Sequence, residues 1–214
     1  MDYIIRIIPQ LLEGGVVTGQ VFLITIVLSV PIGILLALGR VLSIGILQKI
    51  IAFYVWVLRG TTLMLQLIFV YYALPTVGIR FGDFEAAIVA FVFNYSAYFC
   101  EIFRAGIQSI PKGKYEAART LGMGYMQTMR RIVLPQVFRI ILPPVSNETI
   151  TLVKDTSLVY VLAMNDLMRT TMNLVQRDFD ITPFLVAGAF YLIATLVLTM
   201  VFEHLEKRFS RYER

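Results

Sequence analysis

Apolar residues gather into five blocks of about twenty, over 16–38, 50–74, 84–106, 141–164 and 183–202, and this clustering limits what the chain can become. A helix needs about 20 mainly apolar residues to cross roughly 30 Å of hydrocarbon at about 1.5 Å per residue. With 58% of its 214 residues hydrophobic and only 15% charged, the chain cannot hide that surface in one water-soluble core. The expectation is an all-α integral membrane protein with five transmembrane helices. Strand-like alternation is missing from the blocks, which excludes a membrane β-barrel. Ahead of the first block, Ile4, Ile5, Ile7, Ile8, Leu11 and Leu12 recur at helical spacing. The basic start and small-residue cleavage site of a signal peptide are absent there, so the segment over about 3–12 is predicted to be an interfacial helix.

Five spans put the termini on opposite sides, and the positions of Lys and Arg choose between them. Arg40, Lys49, Arg104, Lys112, Lys114, Arg119, Arg130, Arg131, Arg139, Lys207, Arg208, Arg211 and Arg214 fall on one side, and Arg6, Arg80, Arg169 and Arg177 on the other. Thirteen against four places the N-terminus outside and the C-terminus in the cytoplasm. The same distribution explains the net charge of +5 by membrane topology, without nucleic acid. Arg59 and Lys154 are left within predicted spans.

The longest cytoplasmic segment, about 107–140, is too short for a core of its own. Pro111 opens a first short helix, Gly122 and Gly124 break the chain, and Leu134-Pro135 ends a second. A basic loop with apolar residues at helical spacing suits either docking to a cytoplasmic partner or contact with anionic lipid. Spacing alone leaves both open.

Ionisable groups at membrane depth cost about 2.5 to 3.5 kcal/mol each, so Glu101, Glu148, Lys154 and Asp155 must face protein or water. At about 100° per residue, Asn147, Glu148, Thr151, Lys154 and Asp155 share one arc of the fourth span. Asn94, Tyr98 and Glu101 share a face of the third.

From Glu116 to Gln136 the loop reads EAARTLGMGYMQTMRRIVLPQ. Glu116, Ala117, Ala118, Gly122, Ile132, Leu134 and Pro135 match the EAA motif, and the loop resembles that of permease subunits of binding-protein-dependent ATP-binding-cassette (ABC) importers. The stretches SAYFCEIFRAGIQSIPKGKYEAA, LPPVSNETITLVKDTSL and LRGTTLMLQL narrow the resemblance to the polar amino acid branch, over about residue 16 to the C-terminus. Thr62 stands where that group usually has Pro, and Cys100 where it usually has a small residue. The resemblance implies a single transmembrane permease domain over 1–214 with the type I ABC importer permease fold, in a prokaryotic cytoplasmic membrane. It also implies a coupling helix carrying Glu116, Ala117, Ala118 and Gly122. The implied partners are a dimeric ABC ATPase subunit that binds ATP and Mg, a second permease copy or homologue, an extracytoplasmic amino-acid-binding protein and membrane lipid. No cofactor belongs to this chain itself.

A zwitterionic amino acid needs an acceptor for its ammonium and a donor for its carboxylate. Glu101 and Asp155 are candidate acceptors and Lys154 and Arg59 candidate donors, with Asn94, Tyr98 and Thr151 beside them on the substrate path. Internal pairing, such as Glu101 with Arg104, is the competing reading of the same charges, and both stay open. Two acids against one lysine lean toward basic substrates.

Other signals carry no chemistry. Gly106 to Tyr115 lacks the Gly and the Ser or Thr of a phosphate-binding loop at the positions of Gln108 and Tyr115. One Cys, Cys100, and one His, His204, provide neither an internal disulfide nor a zinc site. A secondary transporter would not need the EAA loop, and an intramembrane enzyme would want a nucleophile with its base.

Overall fold

The computed structural model describes residues 2–42 and 45–210. Arg211 and Arg214, two of the basic residues used to orient the chain, lie outside the described residues. Helix α1 (Asp2–Leu42) runs for 41 residues, about 60 Å at 1.5 Å per residue, twice the thickness of a bilayer core. The segment over 3–12, expected as a separate interfacial helix, is therefore the beginning of α1. Part of its apolar side is taken up inside the molecule: Ile7 and Leu11 are fully buried with Leu167, Leu174 and Ala187 of later helices, while Ile5 and Leu12 stay exposed.

One face of α1 explains its length and its position. Gly14, Thr18, Val21, Thr25, Ser29, Gly33 and Ala37 recur at steps of three and four, all buried. Small residues let helix backbones approach closely in a membrane. A Cβ at Gly33 would meet the Phe99 Cβ at 2.6 Å, and one at Gly14 the Asp166 carbonyl at 2.8 Å. The partner at Gly33 is α4 (Asp83–Gln108), and α1 with α4 forms the broadest helix contact in the molecule.

Between these two helices the chain makes a broken hairpin arm. Helix α2 (Ile46–Gly60) and α3 (Leu63–Ile68), the latter continuing through a π turn and a 3-10 turn to Val77, meet at an angle of 104°. Beyond α4 come the short α5 (Lys112–Thr120) and α6 (Tyr125–Thr128), then a π turn, Met129–Val133, that runs directly into α7 (Leu134–Asp155). Leu134-Pro135, expected to end a helix, begins one instead, because proline is well tolerated in a first turn, where its missing N–H has no helical partner. A 3-10 turn, Thr156–Leu162, leads to α8 (Leu167–Asp178) and the last helix, α9 (Thr182–Ser210). Asp166 caps α8 by accepting from the Met168 and Arg169 amides, both at 3.0 Å. Next to α9, the Arg177 guanidinium and the Tyr3 hydroxyl hold the Asp178 carboxylate down at about 2.

Three helices among the described residues are long and apolar enough to cross a membrane: Tyr3–Leu42, Asp83–Gln108 and Thr182–Phe209. The bent pair α2 and α3 makes a fourth if it is one span. The expected fifth, over 141–164, does not qualify by length and composition. Its helix α7 carries Glu148, Lys154, Asp155 and the pair Pro143-Pro144, and its helical part ends at Asp155.

At the loop end of the bundle, Glu101 joins α1 to α4. Arg40 Nη1 donates to Glu101 Oε2 at 2.5 Å, and Arg104 donates to the same carboxylate through Nε, at 3.1 Å, and through Nη2. The internal pairing of Glu101 with Arg104 is thus present, with Arg40 as a second partner that spacing could not identify. Breaking such a tie leaves unmatched charge. Because the side chains are 22–23% exposed, the cost falls below the fully buried case, to about 1 to 3 kcal/mol. Glu101→Gln is expected to lower the melting temperature of the detergent-purified protein, and Arg40→Gln added to it should recover part of the loss. A Glu101→Gln protein that melts like the wild type would show that the ion pair holds nothing together.

Candidate functional site

The break in the second arm creates the site. Helix α2 stops at Gly60, and Thr62 restarts the chain by capping α3, its hydroxyl accepting from the Leu65 amide at 3.4 Å. The stop leaves the Leu58 carbonyl without a helical donor. Gln66 Nε2 donates to it at 2.9 Å and Asn94 Nδ2 at 3.1 Å. The two amides also bond each other, from Asn94 Nδ2 to Gln66 Oε1 at 3.0 Å, and Gln66 donates to the Thr61 hydroxyl at 2.8 Å.

This bend turns residues 59–64 towards α4 and α7 and encloses a cavity of about 570 Å³. Arg59, Thr61 and Thr62 line it from the break, Asn94, Tyr95 and Tyr98 from α4, and Glu148, Thr151 and Asp155 from α7. Residues 148, 151 and 155 share a face of α7 by their three- and four-residue steps. The Arg59 guanidinium lies 5.1 Å from the centre of the Tyr98 ring, a cation–π arrangement. Tyr95 donates from its hydroxyl to Asp155 Oδ2 at 2.8 Å. Both signs of charge therefore occupy one wall in a volume suited to a small ligand.

Five of the seven residues expected on a substrate path meet here: Arg59, Asn94, Tyr98, Thr151 and Asp155. Two do not. Glu101 is held in the ion pair with Arg40 and Arg104, and Lys154 is exposed outside the lining. Glu148, on the polar arc of the fourth span but not counted on the substrate path, also lines the cavity, and so does Tyr95, which sequence reasoning overlooked. The four-residue step from Tyr95 to Phe91 and Phe99 reads as core packing, and Phe91 does stack on it while Phe99 packs at a tilt. Asn94, expected to face substrate, spends its amide on the Leu58 carbonyl.

At the other end of α4, the loop forms a compact turn. Glu116 and Ala117 are exposed, but Ala118 is 1% exposed, so only the first two face outward. Gly122 has φ +74°, the left-handed conformation that glycine adopts without strain. Its amide bonds the Arg119 carbonyl at 3.0 Å, and the Met123 amide bonds that of Ala118 at 3.0 Å. Around this turn Leu121, Tyr125 and Met126 are 78%, 64% and 74% exposed, an apolar tip that the motif alone did not single out. Lys114 bonds Gln136 and ties α5 to α7.

The family model described as "binding-protein-dependent transport system inner membrane component" matches residues 29–211. The arginine transport system permease protein ArtQ of Bacillus subtilis (strain 168) is 37% identical over 203 residues, which is 94% of this chain and 93% of that protein. The L-cystine transport system permease protein TcyB of the same organism is 34% identical over 205 residues, 94% of this chain and 88% of that one. A crystal structure of an amino acid ABC transporter with histidines superposes with a TM-score of 0.89 at 31% identity, over 96% of this chain and 97% of that one. The chain therefore belongs to the binding-protein-dependent inner membrane permeases, as the multi-pass membrane subunit of an amino acid ABC importer whose ATPase and binding protein are separate partners.

Proposed function

We propose that the cavity between the α2–α3 break, α4 and α7 is the path of the transported amino acid. The observation that carries this reading is the meeting of Arg59 with Asp155 and Glu148 on one lining. Charges at membrane depth are costly unless protein or water receives them. Arg59 suits the substrate carboxylate, and Asp155, with Tyr95 at its side, suits the ammonium. Thr151 and Tyr98 supply neutral polar contact. Two acids against one arginine leave one negative charge in excess, which favours a cationic side chain. The arginine permease ArtQ is a relative in keeping with that choice, although the cystine permease TcyB is similar to a comparable degree.

The same wall supports a fifth span and a second permease. Helix α7 with its 3-10 turn presents Glu148, Thr151 and Asp155 to the cavity and buries Ile141, Leu152, Val153 and Val159 inside the molecule, as a span in the middle of an assembly would. The cavity is open at its edge, and a second copy or homologous permease placed there would cover Asp155 and Lys154 from lipid. Five spans put the N-terminus outside and the C-terminus in the cytoplasm, in line with the excess of basic residues at the loop end. The turn with Glu116, Ala117 and Gly122, and the apolar tip of Leu121, Tyr125 and Met126, would then meet the ATPase and transmit its closure.

Three measurements test these assignments. Asp155→Asn keeps the shape and removes the charge. In reconstituted complexes it should weaken substrate stimulation of ATP hydrolysis about 10- to 150-fold in affinity, the value of a charge-assisted hydrogen bond, while leaving assembly and basal hydrolysis intact. Unchanged affinity would remove Asp155 from the path. Gly122→Leu forces a left-handed turn on a branched residue, and Glu116→Ala removes an exposed acid from α5, the helix just before that turn. Both proteins should reach the membrane but lose coupled transport, and wild-type transport rates would refute the coupling role. For orientation, a cysteine at Thr182 should react with an impermeant reagent from outside and one at Lys207 should not. The reverse pattern would invert the topology.

A further inference from the structure

Two non-glycine residues among those described take a positive φ, Ala163 and Phe179. Phe179 closes α8 at φ 51° and ψ 35°, the left-handed helix cap that glycine fills without strain. A phenylalanine there is strained, and its ring gains nothing from the fold in return. It is 94% exposed, more than any other large apolar residue among those described. Strain kept at a residue whose side chain packs on nothing points to a use outside the chain.

The turn around the ring is braced on both sides. Asp178 accepts from the Tyr3 hydroxyl at 2.8 Å and from Arg177 Nε and Nη2 at 2.7 and 2.8 Å. Asp180 Oδ1 accepts from the Thr182 amide at 2.8 Å and from its hydroxyl at 2.6 Å, so Oδ2 keeps its acceptor capacity for a further donor. The ring thus projects from a fixed support with an open carboxylate oxygen beside it. Ile181, 72% exposed, extends the apolar surface. Arg177 also lines a polar groove of about 390 Å³ between α1 and α8, together with Gln10, Glu13, Asn165 and Asn173.

Lipid is a poor cover for this turn. Aromatic belts at a membrane surface rely on the polar tips of Trp and Tyr, which Phe lacks, and an anionic bilayer surface repels the carboxylates on either side of the ring. An apolar anchor with an acceptor at its edge and an amide-lined groove alongside has the make-up of a protein interface. On the outer face, the soluble partner of a binding-protein-dependent permease is its binding protein. We infer that the turn over 178–181 docks the amino-acid-binding protein, with the Phe179 ring entering an apolar pocket of that protein and Asp180 meeting a basic group at the pocket's rim. This rests on the orientation proposed above, in which the connection between α8 and α9 lies outside.

The test uses the complete transporter, with its ATPase subunits, in nanodiscs, and titrates ATP hydrolysis with the transporter's purified, amino-acid-loaded binding protein. Phe179→Ala should raise the concentration for half-maximal stimulation about tenfold, with hydrolysis in the absence of binding protein unchanged. Phe179→Gly relieves the backbone strain and should show the same loss, which separates the ring from the stability of the turn. Asp180→Asn keeps the acceptor for Thr182 and removes the charge, so its smaller effect, about threefold, should fade at high salt. An unchanged half-maximal concentration in both Phe179 variants would overturn the docking surface and leave the ring to lipid. In spheroplasts carrying the whole transporter, a cysteine at Ile181 should react with an impermeant reagent from outside, and added binding protein should slow the reaction. Outside labelling without protection would sink the surface and leave the orientation standing, whereas no labelling from outside would sink the orientation itself.

Discussion

Hydrocarbon offers a polar group no partner, so any carbonyl freed by a break in a membrane helix must be met by the protein. The Leu58 carbonyl is the point where that demand is heaviest. Gln66 and Asn94 both reach it, one from the far side of the break and one from the neighbouring helix α4. With those two amides in place, the chain can turn by 104° with the Leu58 carbonyl met by two donors. The turn presents Arg59, Thr61 and Thr62 to the cavity rather than stacking them along a straight span. Apolar residues at both 66 and 94 would leave the carbonyl unsatisfied and the cavity wall without its support.

The opposite side of the bundle is built for close approach. The small-residue face of α1 lets α4 and α8 come within contact of backbone, and Glu101 with Arg40 and Arg104 fastens α1 to α4 at the loop end. Gly106 continues the pattern, since a Cβ there would run into the Ile141 side chain of α7. Helix α4 is thus fixed along both its neighbours, and it carries Asn94, Tyr95 and Tyr98 on a rigid support.

Much of this was legible in the sequence, for reasons that differ by element. Long apolar runs report themselves, and α1, α4 and α9 follow the expected spans with extensions at their ends. The EAA loop was legible because it is local: its glycine turn depends on neighbours within six residues. What failed was whatever depended on a distant partner. Residues 3–12 have the amphipathic pattern of a surface helix, but α8 and α9, some 160 to 180 residues further on, cover Ile7 and Leu11. Pro135 reads as a stop signal until the π turn delivers it to a first helical turn. Asn94 and Glu101 sit on one face of α4, and that face gave no sign that one would serve a broken helix and the other an arginine of α1.

The separation of structural from functional charge follows from how each carboxylate is occupied. Glu101 accepts from two guanidinium groups through three nitrogens, and both its oxygens are engaged. Admitting a substrate ammonium there would mean displacing an arginine into a setting with nothing else of opposite charge beside it. Asp155 accepts one hydrogen bond, from Tyr95, and an ionised carboxylate has about four lone-pair sites. A second donor can therefore bind without breaking the first, and Tyr95 holds the carboxylate in place while it does. Glu148 stands two helical turns away on the same face of α7, so a ligand with a second cationic group has a second acid within the same lining. On the path proposed above, a doubly cationic amino acid would pair with both acids while Arg59 receives its carboxylate, and the Tyr95–Asp155 bond would not have to break.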